Sequence, residues 1–266
     1  MVTESPVDVD RYLARIGLDA PPPVDFDGLA ALQFAHLTAV PFENLDVFDG
    51  VPVRVDTEWS INKIVNDKRG GWCFELNGAF AALLDALGFD VALLGAAVLV
   101  DGPSVVVDHA TLEVRLDESY LVDVGFGDSF IQPLRLNQAG PQDGGSGTFE
   151  LIASPQGTTL TRHDAGGVPE PQYRFKRTHR DIGEFAPSSS ALTADPSTRW
   201  HTKAIATRLI GDRADRVTLT GTTLTRSIDG VKTSSTIELG DIDQVLKTEF
   251  AIARRTSGGE FSIPSA

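Results

Sequence analysis

Near residue 90 the apolar pattern of this 266-residue chain changes its period from that of a helix to that of a strand. Any fold must house both halves. Before the change, Leu76, Phe80, Leu83, Leu84 and Leu87 fall at i, i+4, i+7, i+8 and i+11, one apolar helical face, with Gly88 placed to stop it. Weaker helical stretches precede it. Residues 11–18 end at Gly17 and Pro21-Pro22-Pro23; Leu29, Leu32, Phe34 and Leu37 end at Pro41; Ile61, Ile64 and Val65 break at Gly70-Gly71.

After the change, residues 105–116 alternate, with Ala110, Leu112, Val114 and Leu116 on one face and His109, Thr111 and Glu113 on the other. Asp117-Glu118-Ser119 reads as a turn and residues 120–124 as the returning strand. Residues 138–148 read as a polar loop, and 149–153 and 172–176 as strands. Farther on, 199–209 reads as a helix, 216–226 and 231–239 as strands. Residues 241–250 read as a helix with Ile242, Val245, Leu246 and Phe250 on one face.

Composition narrows the class of protein. Hydrophobic residues at 41% and charged residues at 23% suit a globular chain. The formal charge of −14 is the reverse of a nucleic-acid binder's basic footprint. The longest apolar run, 91–100, is about half of what a bilayer-spanning helix needs. Residues 1–10 carry neither a basic nor an apolar leader region, and one cysteine cannot close an internal disulfide. A cytoplasmic protein without nucleic-acid or membrane partners is expected. No metal site is expected either, with one cysteine and no two histidines closer than sixteen positions.

Three residues could carry chemistry. Cys73 sits at the start of the strongest helix, after a glycine turn and beside Lys68-Arg69, where orphan N–H groups and positive potential favour a thiolate. A lone cysteine can equally be a small buried hydrophobe. A nucleophilic thiol needs a base and the base an orienting group. Among His36, His109, His163, His179 and His201, only His109 occupies a strand with an apolar opposite face. Surface histidine is the other reading. His163 and His179 read as solvated and His36 as half-buried in a helix.

Asp123 is a carboxylate inside the apolar strand Tyr120-Leu121-Val122-Asp123-Val124, costly unless paired with a histidine or an arginine. A regular hairpin around 117–119 would set Asp123 opposite Glu113, four residues and about 13 Å from His109. A bulge, a bend or non-adjacent pairing would then be required. Gly125-Phe126-Gly127 lacks the third glycine and the following helix of a dinucleotide site. Arg174, Lys176, Arg177 and Arg180 form a basic cluster that could face a phosphate or be a solvated strand edge.

Several separate blocks resemble the arylamine N-acetyltransferase family. Arg69-Gly70-Gly71-Trp72-Cys73-Phe74-Glu75-Leu76-Asn77 is similar to its nucleophile motif, and residues 36–46 (His-Leu-Thr-Ala-Val-Pro-Phe-Glu-Asn-Leu-Asp) to its N-terminal signature. His109 with Leu112-Glu113-Val114, then residues 120–127, resemble its histidine and aspartate blocks. The likeness covers residues 8 to about 150; past 190 it is loose, and it returns at 245–250.

This resemblance implies an α+β fold. It comprises an N-terminal helical bundle (1–90), a central β-barrel (91–190) and a C-terminal α/β lid (191–266), with a papain- or transglutaminase-like Cys–His–Asp core. It implies Cys73, His109 and Asp123 as catalytic residues, Phe42, Phe74, Val98 and Phe126 as a slot for an aromatic ring, and Gly127 as a coenzyme A contact. The implied reaction is ping-pong transfer of acetyl from acetyl-coenzyme A to an arylamine or arylhydrazine. Acetyl-coenzyme A is then a substrate and no cofactor is permanently bound. The competing readings are an amide synthase of natural-product assembly, a thioester hydrolase, and a binding protein with a vestigial triad.

Overall fold

The computed structural model describes residues 7–164 and 166–254. The chain opens with α1 Val9–Arg15 and α2 Phe26–Ala39. Their first turns are capped by the Asp8 and Asp25 carboxylates, which accept from Arg11 N–H at 3.1 Å and Gly28 N–H at 2.8 Å. The two-residue strand β1 Phe42–Glu43 and the single turn α3 Leu45–Phe48 follow. Asp56 caps α4 Thr57–Ile61, which runs into a π turn at Asn62–Asn66. Then comes α5 Cys73–Ala86, whose Leu76, Phe80, Leu83 and Leu84 are fully buried. The apolar face read from sequence is the core of the helical region.

Eight strands build the barrel: β2 Asp90–Val98, β3 His109–Arg115, β4 Ser119–Val122, β5 Leu134–Arg135, β6 Pro141–Asp143, β7 Thr148–Ser154, β8 Gly157–His163 and β9 Pro169–Arg180. Their spatial order is β5-β4-β3-β2-β9-β8-β7-β6. The two edge strands meet through a side chain. Gln142 of β6 donates to Arg135 O at 2.9 Å and accepts from Arg135 N–H at 2.8 Å, and Ile131 N–H reaches Gly144 O at 2.7 Å. The sheet therefore curls onto itself and hides its edges. Leu94, Phe149, Leu160, Tyr173 and Phe175 fill the interior.

Two expectations change here. Residues 138–148 are not all loop, because β6 is needed to close the barrel. In β3 both faces are buried: Ala110, Leu112 and Val114 join the cluster around α5, while Thr111 and His109 face Tyr173. A strand roofed by a helix on one side and a barrel core on the other shows no exposed face.

The remainder is α6 Ala186–Ala194, α7 Arg199–Thr202, β10 Ile205–Leu209, β11 Arg216–Thr220, β12 Thr223–Ile228, β13 Val231–Thr236 and α8 Ile242–Phe250. Residues 199–209 are thus one helical turn and a strand, not the single helix expected. Ile205 and Thr207 are β-branched, and β10 is held between β1 and β11. The second sheet, β1-β10-β11-β12-β13, borrows its first strand from the helical region. α8 covers it by burying Ile242, Leu246 and Phe250 against Val217 and Leu219. The architecture is α+β: helical bundle, barrel and α/β lid.

Asn44 joins lid to bundle. Its amide donates to Trp200 O at 2.9 Å and Lys203 O at 2.8 Å, and its carbonyl accepts from Ile205 N–H at 2.7 Å. The polar capacity of this buried side chain is used on one short stretch of the lid.

Candidate active site

The loop that presents Cys73 rests on buried charges. Arg69 contacts Glu43 at 2.7 Å and Asp46 at 3.0 Å; Lys63 contacts Asp46 at 2.8 Å and Glu75 at 2.9 Å. Glu75 also accepts the Trp72 N–H at 3.2 Å, one of the orphan donors at the start of α5. Burial lowers the pKa of Lys63, yet the carboxylates of Glu75, Glu43 and Asp46 push it above the ordinary value. Burial raises Glu75 in spite of Lys63.

Cys73 is the first residue of α5 and 7% exposed, with Sγ 3.9 Å from Asp108 O. His109 opens β3, and its Nε2 lies 2.7 Å from Asp123 Oδ2. Burial pulls the His109 pKa down, but the Asp123 charge and hydrogen bond, then Cys73, push it up to about 10. Burial likewise raises Asp123, and the His109 charge with hydrogen bonds from His109, Asn77 and Gly125 outweighs this and lowers it. The ring of His109 is packed by Tyr173 at 5.0 Å and Phe126 at 5.3 Å.

The register explains why His109 and Asp123 meet. β3 and β4 pair Arg115 with Ser119 and Leu112 with Val122, so the hairpin loop is 116–118 and not 117–119. Leu116 N–H bonds to Glu118 O at 2.8 Å, and the Asp117 carboxylate accepts the Glu118 N–H at 2.9 Å. Continued past Val122, this register sets Asp123 opposite Thr111, two residues from His109 instead of four. That is a diagonal neighbour on one face, within side-chain reach. Neither a bulge nor non-adjacent pairing is needed.

Asn77, one turn beyond Cys73, locks the arrangement. Its amide donates to Ala110 O at 2.6 Å and Asp123 Oδ1 at 2.9 Å, and its carbonyl accepts from Val124 N–H at 3.0 Å. Gly125 passes so close that a Cβ there would lie 2.6 Å from Asn77 Nδ2 and 2.8 Å from Cys73 Cα. Only glycine fits.

Cys73 and His109 open onto a cavity of about 680 Å³, walled by Phe42, Val98, Phe126 and Trp200, with Arg162 and Arg199 also on its surface. Phe74 is elsewhere: fully buried, it packs edge-on against Trp72 at 5.4 Å and against Phe185 at 5.5 Å, because its helical position turns it into the bundle. Gly127 is not on the cavity wall; it lies behind Phe42 and against Thr207. Trp200 was not singled out from sequence, since nothing in its local pattern shows that α7 folds over the cavity. Asn77 did carry a signal, as an amide on the apolar face of α5.

The other histidines have local roles. His36 is fully buried, not half-buried; it bonds Tyr12 Oη at 3.1 Å, and burial drives its pKa down to about 3. His163 meets Glu150 at 3.2 Å, His179 meets Arg115 at 3.2 Å, and His201 bonds Thr193 O at 3.0 Å. Of the basic cluster, Arg177 is spent on Glu113 and on Ser119 Oγ at 3.0 Å, while Arg174, Lys176 and Arg180 line a separate groove. Among the described residues, no His, Cys, Asp and Glu grouping could hold a metal, and no helix is long and apolar enough to cross a membrane.

A family model described as N-acetyltransferase matches residues 25–257. The arylamine N-acetyltransferase of Mycolicibacterium smegmatis is 35% identical over 206 residues, 74% of each chain. The Proansamycin X synthase of Amycolatopsis mediterranei is 35% identical over 207 residues, 74% of this chain and 78% of that one. Among solved structures, Mycobacterium marinum arylamine N-acetyltransferase in complex with CoA superposes with a TM-score of 0.85 at 30% identity, covering 92% of this chain and 93% of the other.

Proposed function

The chain belongs to the arylamine N-acetyltransferase family, and from that premise we propose that it moves acetyl from acetyl-coenzyme A to an arylamine or arylhydrazine nitrogen through a thioester on Cys73. The observation that carries the reading is the buried His109–Asp123 pair, 2.7 Å long, beside Cys73 on the wall of a cavity lined by aromatic rings.

In the first half-reaction the Cys73 proton resides on His109, which its raised pKa permits. The thiolate attacks the donor's thioester carbonyl, the C–S bond to coenzyme A breaks, and His109 returns its proton to the departing sulfur. In the second half-reaction the amine attacks acetyl-Cys73, the new thioester breaks, and His109 takes the proton the nitrogen gives up. Asp123 holds the imidazole in orientation throughout. Orphan N–H groups at the start of α5, including that of Cys73, face the oxyanion that forms in each half.

Phe42, Val98 and Phe126 supply apolar walls for the acceptor ring, and Trp200 joins them from the lid. A neutral arylamine suits this pocket because its nitrogen keeps its lone pair near neutral pH. Coenzyme A enters and leaves as a substrate. The boundaries near 90 and 190 divide the work: the nucleophile comes from the first unit, and its base and orienter from the second.

The decisive measurement is intact mass after mixing with acetyl-coenzyme A and no amine. A gain of one acetyl group on the native chain and none on Cys73→Ser is the expected result. No gain, with coenzyme A unreleased, sinks the proposal. A second reading, amide synthesis in natural-product assembly by the same three residues, draws support from the likeness to Proansamycin X synthase. It requires that arylamine acceptors fail to discharge the acyl-enzyme.

A further inference from the structure

On the outside of the barrel, across the 99–108 segment from the cavity of Cys73, lies a groove of about 480 Å³. Val98, Leu99, Val100 and Asp108 face the first cavity, whereas residues 104, 105 and 107 face this one. Its floor is Gly95 and Ala97 of β2, and its side is the outward row Arg174, Lys176 and Arg180 of β9.

The row owes its position to an irregular ladder. Leu94 pairs with His179 but Ala96 with Phe175, so β9 carries two extra residues opposite Gly95. Such bulges re-aim side chains. Gly95 completes the hollow, since a Cβ there would lie 2.7 Å from Arg180 Nε and 2.9 Å from Val107 Cγ1.

The charge of the groove is unlike its surroundings. The chain carries −14 overall, and in three other concavities Asp and Glu equal or outnumber Lys and Arg. Here three cations line the wall and no carboxylate does. Among the described residues, Arg180 meets Glu184 at 3.3 Å, while Arg174 bonds only Thr159 Oγ1, at 3.3 Å, and Lys176 has no carboxylate within ion-pairing distance. Converging cations on a negative molecule focus a local field that selects an anion. Above them Val105, 91% exposed, and Val107 offer apolar contact.

We propose that this groove binds a phosphate monoester, whose dianion is received by Arg174, Lys176 and Arg180 and whose organic part lies against Val105 and Val107. The inference is independent of the transfer reaction. The phosphate has two possible sources, the 3′-phosphate of coenzyme A or a separate phosphorylated metabolite.

Calorimetric titration of the full chain with inorganic phosphate and with adenosine 3′,5′-bisphosphate tests the site without any turnover. One equivalent of each should bind the native protein. Arg174→Gln with Lys176→Gln should weaken both by about tenfold or more, as should Val105→Asp, which adds an anion at an exposed rim. Absence of binding to the native chain, or equal binding by the variants, overturns the proposal. The source is then read from kinetics, an arm that does rest on the transfer reading. A KM raised for acetyl-coenzyme A but not for its 3′-dephospho analogue, with kcat kept, assigns the phosphate to the donor. Unchanged KM for both assigns it to a separate ligand.

Discussion

Asp123 holds His109 directly, and Asn77 holds Asp123. Replacing Asn77 by Ala leaves the Val124 N–H without its acceptor and removes one of the hydrogen bonds that orient the Asp123 carboxylate. Stability should fall by about 1–3 kcal/mol, and acyl-enzyme formation on the order of 10²-fold through misplacement of the base. Stopped-flow release of coenzyme A, set beside thermal unfolding, separates the two effects. The His109 pKa also has a stability consequence. Its folded value of about 10 lies above its ordinary 6.5, so the contribution is complete below pH 6.5 and lost as pH climbs toward 10. The difference in Tm between the native chain and Asp123→Asn should therefore shrink across that window. A difference that stays flat would mean that His109 does not hold the proton.

At the scale of elements, the loop before α5 and the register of one hairpin decide whether the three groups meet. Lys63→Met leaves Asp46 and Glu75 buried without their shared cation. A loss of about 3–5 kcal/mol is expected, read by denaturant unfolding. Much of this level was legible in the sequence. The α5 face was plain because five apolar residues repeat at helical spacing, and Cys73 at its start followed directly. The β3–β4 register was misplaced because Asp117, Glu118 and Ser119 all suit a turn, and composition does not say which two flank it. The partial helix at 199–202 was overextended because Asn44, more than 150 residues away, decides where the chain straightens. Contacts of that separation leave no local pattern. Phe74 illustrates the same limit, since a phenylalanine beside a nucleophile reads alike whether it faces a substrate or the bundle.

Across the whole molecule, one apolar cluster joins the bundle to β3 and β4, a second fills the barrel and a third the lid, and several polar links hold the lid to the rest. Asn44 is one; Arg208 is another, donating to Thr38 O at 2.9 Å and Glu249 O at 2.7 Å. Asn44→Ala should release α7 and with it Trp200, the lid's contribution to the cavity wall. We expect the KM for the amine to rise several-fold while the acetylation of Cys73 in its absence changes little. If both change in step, Trp200 is not positioned through Asn44.

Cys73 belongs to the bundle, whereas His109 and Asp123 belong to the barrel, and Asn77 clasps the two. A ribosome finishes the first of these regions before the second. If His109 activates Cys73 as proposed, the thiol gains its full nucleophilicity only when the clasp shuts. Heat or denaturant that parts His109 and Asp123 from Cys73 should then lower the nucleophilicity of the sulfur. On that reading the alkylation rate of Cys73 at neutral pH is expected to report the docking of barrel on bundle, which helical content does not.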